Sequence, residues 1–245
     1  MILFSPEYIE YTLLGLILLP GLIYASITSL RVKTTFARYK NVLSAKGITG
    51  AECVKKILEA QGVRDVAVVW SGQGDLVDNY NPQTNTITLS ADVFDGTSIS
   101  ALGVAAHEAG HALQYAEGYA PIKIRTVLAH VSNLTSSLVW PLLIIGIVFN
   151  FAYIGGVFGN VFLWCGVGLF SLSLIFSLIT LPVELNASKR AINLLVQTGC
   201  VDQMEVKGAK KVLKAAAMTY VAAIVVATLQ LVRFLLFFLL NSKKD

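Results

Sequence analysis

The chain alternates long uninterrupted apolar runs with two polar segments. Tyr11 to Leu30 holds no charged residue, and twenty helical residues cover about 30 Å, the thickness of a bilayer's hydrocarbon core. Residues 126 to 183 form a second run, 58 positions without Asp, Glu, Lys or Arg. That is too long for one span. It breaks near its middle at Asn150, Gly155, Gly156, Gly159 and Asn160, turn chemistry between two antiparallel helices. A further run, Ala215 to Leu240, is interrupted only by Arg233, which reads as a residue snorkelling to the headgroups. The pattern predicts four transmembrane helices: one over 8–30, two as a hairpin over 126–183, and one over 215–240.

The polar segments, 31–125 and 184–214, carry shorter periodicities. Thr34 to Leu43 continues the first helix as a basic stretch. Thr49-Gly50-Ala51-Glu52 has the spacing of a capping box, in which the two side chains satisfy each other's free amides. Val54, Ile57 and Leu58 then mark one face of a helix closed by Gly62. Val66 to Trp70 is a β-branched run, Asn81 to Asn85 is turn chemistry, and Thr86 to Ser90 alternates as a half-buried strand does. Ser98 precedes a helix from about Ile99 to Glu117. The expected sheet is two or three strands wide.

Composition agrees with the spans. Of 245 residues, 55% are hydrophobic and 14% charged, with a mean hydropathy of +0.67, where soluble domains carry about 25% charged residues. Disorder is excluded. The net charge of +4 comes from 19 basic against 15 acidic residues, and its placement concerns orientation rather than nucleic acid. Ten basic residues fall in 31–125 and six in 184–214. The positive-inside rule then makes both polar segments cytoplasmic and puts both termini outside. The leader before the first run is acidic, with Glu7 and Glu10, so the run reads as a retained anchor rather than a cleaved signal. Cys53, Cys165 and Cys200 form no disulfide pattern.

The chemistry sits in His107-Glu108-Ala109-Gly110-His111. Two histidines four apart on a helix project from one face and can bind one Zn²⁺, which lowers the pKa of a coordinated water to near 7. Glu108 is offset to take that water's proton as it attacks a peptide carbonyl. Chance placement of three histidines and eight glutamates produces the motif about once in a thousand chains, a measure of its false-positive risk. The third histidine, His130, reads as a polar residue in helix packing. A third ligand is needed. The metzincin pattern would put Gly at 114 and His at 117, but this chain has Gln114 and Glu117. Glu184, beyond Pro182 at the cytoplasmic membrane boundary, has two readings. It is either a metal ligand or an interfacial carboxylate paired with Lys189 or Arg190. The ligand reading is favoured because it places His, His and Glu on two helices. Arg190 is a candidate catalytic residue, stabilising the oxyanion. Thr86, Ile87, Thr88, Leu89 and Ser90 are candidate substrate contacts, an edge strand to which an extended peptide would add.

Three stretches together resemble a known family: Asp78 to Pro82 with Thr86 to Ser90; Ala105 to Gln114; and Pro182 to Ala191. They are similar to the YugP-type membrane-bound neutral zinc metallopeptidases, bacterial proteins distantly similar to the HtpX-type membrane proteases. Ala215 to Ala222 fits the last segment of the same family. The resemblance implies zinc ligands at His107, His111 and Glu184, with Glu108 as base. HtpX-type enzymes carry an Asp four residues after the glutamate ligand, buttressing the first histidine. Here that position is Ser188, leaving Ser188, Asn186 or a backbone carbonyl as partner of His107.

The expectation is a mainly α protein, four transmembrane helices with a small cytoplasmic α+β zincin-like metallopeptidase unit. It would be a zinc metalloendopeptidase of the bacterial inner membrane, with one Zn²⁺ per chain, cleaving unfolded or membrane-associated polypeptides at the cytoplasmic face. A regulatory membrane partner is left open. The alternatives are a membrane scaffold or adaptor with a structural zinc site, and an intramembrane site-2-type protease.

Overall fold

The structure, a computed structural model, describes residues 12–72, 78–151 and 156–241. A 3₁₀ turn, Gly15–Leu18, leads into α1 (Leu19–Lys40). Then follow α2 (Gly50–Ala60), β1 (Ala67–Trp70), β2 (Asn79–Asn81), β3 (Thr86–Leu89), α3 (Ala91–Phe94) and α4 (Ile99–Ala116). Three long helices complete the chain: α5 (Ala120–Phe151), α6 (Gly156–Gln197) and α7 (Val206–Asn241).

Three helical segments are long and apolar enough to cross a membrane: Thr12–Lys40, Val157–Gln197 and Val206–Phe237. Their surfaces match a lipid solvent. Leu13, Leu16, Ile23 and Leu30 of the first are each about 60% exposed, apolar area that water would penalise by about 25 cal/mol per Å². Helix α5 holds a shorter apolar stretch, Ser137–Gly146. The predicted hairpin turn falls largely on residues 152–155, which lie outside the described residues. So do residues 8–11 of the first predicted span.

The helices outrun the apolar runs that predicted them. Helix α6 passes Pro182 and continues beyond Glu184 to Gln197, α7 begins at Val206 rather than 215, and α5 begins at Ala120 rather than 126. Charge marks where the apolar surface ends. Lys, Arg and Ala are good helix formers, so the backbone need not change there.

The chain divides into two compact units. One comprises residues 1–27, 124–180 and 220–245; within it Val139, Leu143, Leu163, Val167 and Phe234 form a buried cluster. A Cβ on Gly146 would lie 2.6 Å from the Leu163 side chain, and one on Gly166 2.6 Å from Leu143. Such small-residue contacts let membrane helices approach closely.

The second unit, residues 28–123 and 181–219, carries the sheet and the candidate chemistry. The capping box forms as expected: Thr49 accepts from the Glu52 amide, and Glu52 accepts from the Thr49 amide. The strand order is β1-β3-β2, with β1 parallel and β2 antiparallel to β3. Strand β2 and helix α3 have no clear propensity signal. Asn-Tyr-Asn is a poor strand sequence, and pairing with β3 imposes the extended form. Asn81 accepts amides of Gln83 and Thr84 to turn the chain, and Asn85 completes the turn at φ +51°.

Helix α4 is the centre of this unit. Ile57 of α2, Leu89 of β3, Leu195 of α6 and Leu213 of α7 join Leu102, Ala105, Ala109 and Leu113 in one buried cluster. An element buried on nearly every side needs small residues, and α4 is Ala- and Gly-rich. It ends in a Schellman motif. The Tyr119 amide donates to the Gln114 carbonyl and the Gly118 amide to that of Tyr115, with Gly118 at φ +71°. The tightest approach is to α6, where a Cβ on Gly110 would stand 2.8 Å from the Ala187 carbonyl oxygen.

Gly110 and Gly168 make a matched pair of substitutions. An alanine at Gly168, which has nothing within 4 Å, relieves helical glycine entropy, stabilises by up to about 1 kcal/mol and leaves the thermal midpoint equal or higher. At Gly110 the same change overpacks backbone against backbone, and we expect a loss of about 1–3 kcal/mol, read as a lower thermal midpoint in detergent. Equal midpoints for the two variants would contradict the close approach.

Candidate metal centre

Helix α4 presents His107 and His111 one turn apart, their rings edge to face at 4.7 Å between centroids. Helix α6 brings Glu184 to both. Its Oε2 lies 3.1 Å from His107 Nε2 and 3.6 Å from His111 Nε2. All three donor atoms fall within 4.8 Å of one another, and Glu184 and His111 are buried.

The outward nitrogen of each ring is already engaged. Ser188 Oγ is 3.2 Å from His107 Nδ1, and Gln114 Oε1 is 3.0 Å from His111 Nδ1. Nδ1 of His111 faces an amide oxygen and must carry the hydrogen, so Nε2 of the neutral ring is a lone pair. A lone pair and a buried carboxylate oxygen aimed at one point repel unless a cation lies between them. Two imidazole nitrogens and one carboxylate oxygen, with the outer nitrogens held, are a donor set suited to zinc with one position open.

Glu108 occupies the neighbouring position on α4 and is also buried. Burial pushes its carboxyl up to about 7; the Glu184 and Asp78 carboxylates add to this, while His107 and the backbone amide of Tyr80 oppose it. Asp78 in turn accepts the amide and hydroxyl of Ser90. Tyr80 packs its ring 5.6 Å from that of Tyr115 on α4. Strand β2 therefore lies along the part of α4 that carries Glu108.

The other expected site residues are placed differently. Strand β3 was expected to be an edge, but it is the middle strand, paired on both sides. Its backbone groups are used by β1 and β2, so Thr86 to Leu89 cannot add a substrate strand; Ser90 is the N-cap of α3. The edges are β1 and β2. Arg190 donates from Nε to Asn186 at 2.8 Å and from NH1 to Glu117 at 2.6 Å. That pair lowers the Glu117 carboxyl below its ordinary range. Glu184 thus meets the histidines, while Arg190 meets Glu117. The side chain of His130 lies outside the described residues.

Gln114 was missed as a site residue. In the sequence it stands out only as a departure from the metzincin pattern. A lone amide in an Ala- and Leu-rich stretch, three residues after His111 and so on the same face, is the available signal.

Comparison with known proteins places the chain in a family. The family model described as "Putative neutral zinc metallopeptidase" matches residues 14–239. A protein of Bacillus subtilis (strain 168), "Putative membrane protease YugP", is 42% identical over 210 residues, 85% of this chain and 89% of its own length. No solved structure matches the chain. The matched region contains His107, Glu108, His111 and Glu184 and nearly all of the three membrane-capable segments, and the chain belongs to the neutral zinc metallopeptidase family.

Proposed function

We propose that the chain is an integral membrane zinc metalloendopeptidase, with one Zn²⁺ held by His107, His111 and Glu184 and with Glu108 as general base. The observation that carries this is the convergence of two Nε2 atoms and one carboxylate oxygen beside a second buried carboxylate. Zinc bound there would supply Lewis acidity toward water and the scissile carbonyl. Glu108, poised near neutrality, takes the proton of the attacking water on its carboxylate and returns it to the leaving amine. The open edge of β2 replaces β3 as the strand to which an extended substrate would pair. The Tyr80 amide there reaches Glu108, so a peptide on that edge would pass beside the base.

The substrate class we infer is unfolded or membrane-associated polypeptide, cleaved at the cytoplasmic face of a bacterial inner membrane. Basic residues flanking the spans support that orientation. We include α5 as a fourth span, since residues 126–151 are uncharged and helical. Helix α4 is not among the membrane-capable segments and is packed against a sheet, which favours an interfacial over an intramembrane protease.

Glu108→Gln should retain zinc at the wild-type level while casein hydrolysis falls about 10²- to 10⁴-fold. Wild-type hydrolysis by that variant would reject the assignment, and unchanged cellular phenotypes would favour a scaffold. Glu184→Gln should lose most of its zinc by metal analysis, since it replaces an anionic ligand, and chelation of the wild type should abolish cleavage until zinc is restored. Met204, 85% exposed, reports orientation. A cysteine at this position should react with an impermeant thiol reagent in inside-out vesicles and stay unlabelled in intact cells. The reverse pattern inverts the topology.

A further inference from the structure

A hydrogen-bonded chain runs from the metal centre to the surface through residues that no ligand set includes. Gln114 is fully buried. Its Oε1 meets His111 Nδ1 at 3.0 Å, and its Nε2 donates at 2.9 Å both to the Val183 carbonyl and to Asn186 Oδ1. That same Asn186 oxygen accepts from Arg190 Nε at 2.8 Å, and Arg190 NH1 reaches Glu117.

Every orientation in this chain is decided from its ends. A guanidinium can only donate, so the Asn186 atom it meets must be the oxygen. A backbone carbonyl can only accept, so the Gln114 atom facing Val183 and Asn186 must be the nitrogen. Gln114 therefore offers only its oxygen to His111. The His111 hydrogen is placed on Nδ1, and Nε2 is left as a lone pair toward Glu184 and His107. An amide alone could turn over and impose the opposite tautomer. Two independent anchors, one on the α6 backbone and one through Arg190, prevent that.

We propose that Gln114 is the positioning residue that sets the metal-binding tautomer of His111, and that Asn186 and Arg190 hold Gln114 to that orientation. This rests on the zinc reading of the centre. It also gives Arg190 a role through Asn186 instead of at the reacting carbonyl. The anchors lie on α6 within one helical turn on either side of Glu184 or two turns beyond it, so one helix supplies the third ligand and fixes the orientation of the second.

The test uses the full-length protein in detergent, stripped of metal and titrated with zinc or cobalt(II) against a competing chelator. Gln114→Met keeps the volume but removes the acceptor. We expect zinc affinity to fall about 10- to 100-fold, the usual range for removing an outer partner of a ligand. The visible cobalt(II) bands should shift as the His111 ring loses its fixed orientation, a change that a general loss of stability does not produce. Asn186→Asp retains an oxygen for both Gln114 and Arg190 and should bind zinc within about threefold of wild type, a margin well inside that outer-partner range. Asn186→Leu removes that oxygen and should show a clear loss. Gln114→Met binding zinc as tightly as wild type, or equal affinities in Asn186→Asp and Asn186→Leu, overturns the proposal. If Gln114→Met does not fold, the Asn186 pair decides alone. Failure of the parent reading looks different: the wild type itself, or His107→Ala against it, would then show no specific zinc binding.

Discussion

Two helices that approach almost backbone to backbone make the rest of the centre possible. Gly110 sits between the two histidines on α4, and Ala187 sits between Glu184 and Ser188 on α6. With no Cβ at 110 the helices close until the Ala187 carbonyl nearly touches α4. A short carboxylate side chain can then reach two imidazoles at once, and a serine hydroxyl can reach the far nitrogen of one of them. A separation larger by the width of a methyl group would leave Glu184 short of His111, already the longer of its two contacts at 3.6 Å. The glycine thus belongs to the chemistry as much as to the packing.

That closeness also explains how so apolar a chain keeps two buried carboxylates. A buried anion without partners is costly, of the order of several kcal/mol after relaxation. Glu184 faces two imidazole nitrogens, and in the proposed centre a shared divalent cation would compensate its charge. Glu108 meets it differently, by shifting toward the neutral form at about 7 while the Tyr80 amide and His107 oppose the shift. The two carboxylates lie close enough for Glu184 to raise Glu108, yet their surroundings differ in the way the proposed division between ligand and proton carrier requires.

Much of this could be read from the sequence because its signals are local. The capping box at Thr49, the turn at Asn81 to Asn85, and the i, i+4 histidines each depend on residues within one or two turns. What was not legible depends on long-range pairing. Thr86 to Leu89 has the alternation of a half-buried strand whether it lies at an edge or in the middle, because periodicity reports faces and not neighbours. Only the parallel pairing of β1 shows that β3 is central. Asn79 to Asn81 lacks β propensity altogether, yet it forms the edge beside Glu108. Helix ends were displaced for a related reason. The charges at 184–190 mark the limit of an apolar surface, and a helix of good formers continues through them.

The same distinction separates the residues that were found at the centre from the one that was missed. His107, His111 and Glu184 are conspicuous because imidazoles and carboxylates, the groups that can ligate a metal, are chemically unusual in an apolar stretch. Gln114 is less conspicuous, since an amide is common on helix surfaces and its meaning comes from burial. Its two hydrogens and one oxygen face three different partners, two of them on α6, some seventy residues away in the chain. An amide can donate in one direction and accept in the other. A carboxylate in its place would accept from His111 as well but could not also donate to Val183 and Asn186, leaving buried acceptors facing one another. Glutamine is therefore the residue whose polarity matches this position, between a histidine that must donate and a helix backbone that can only accept.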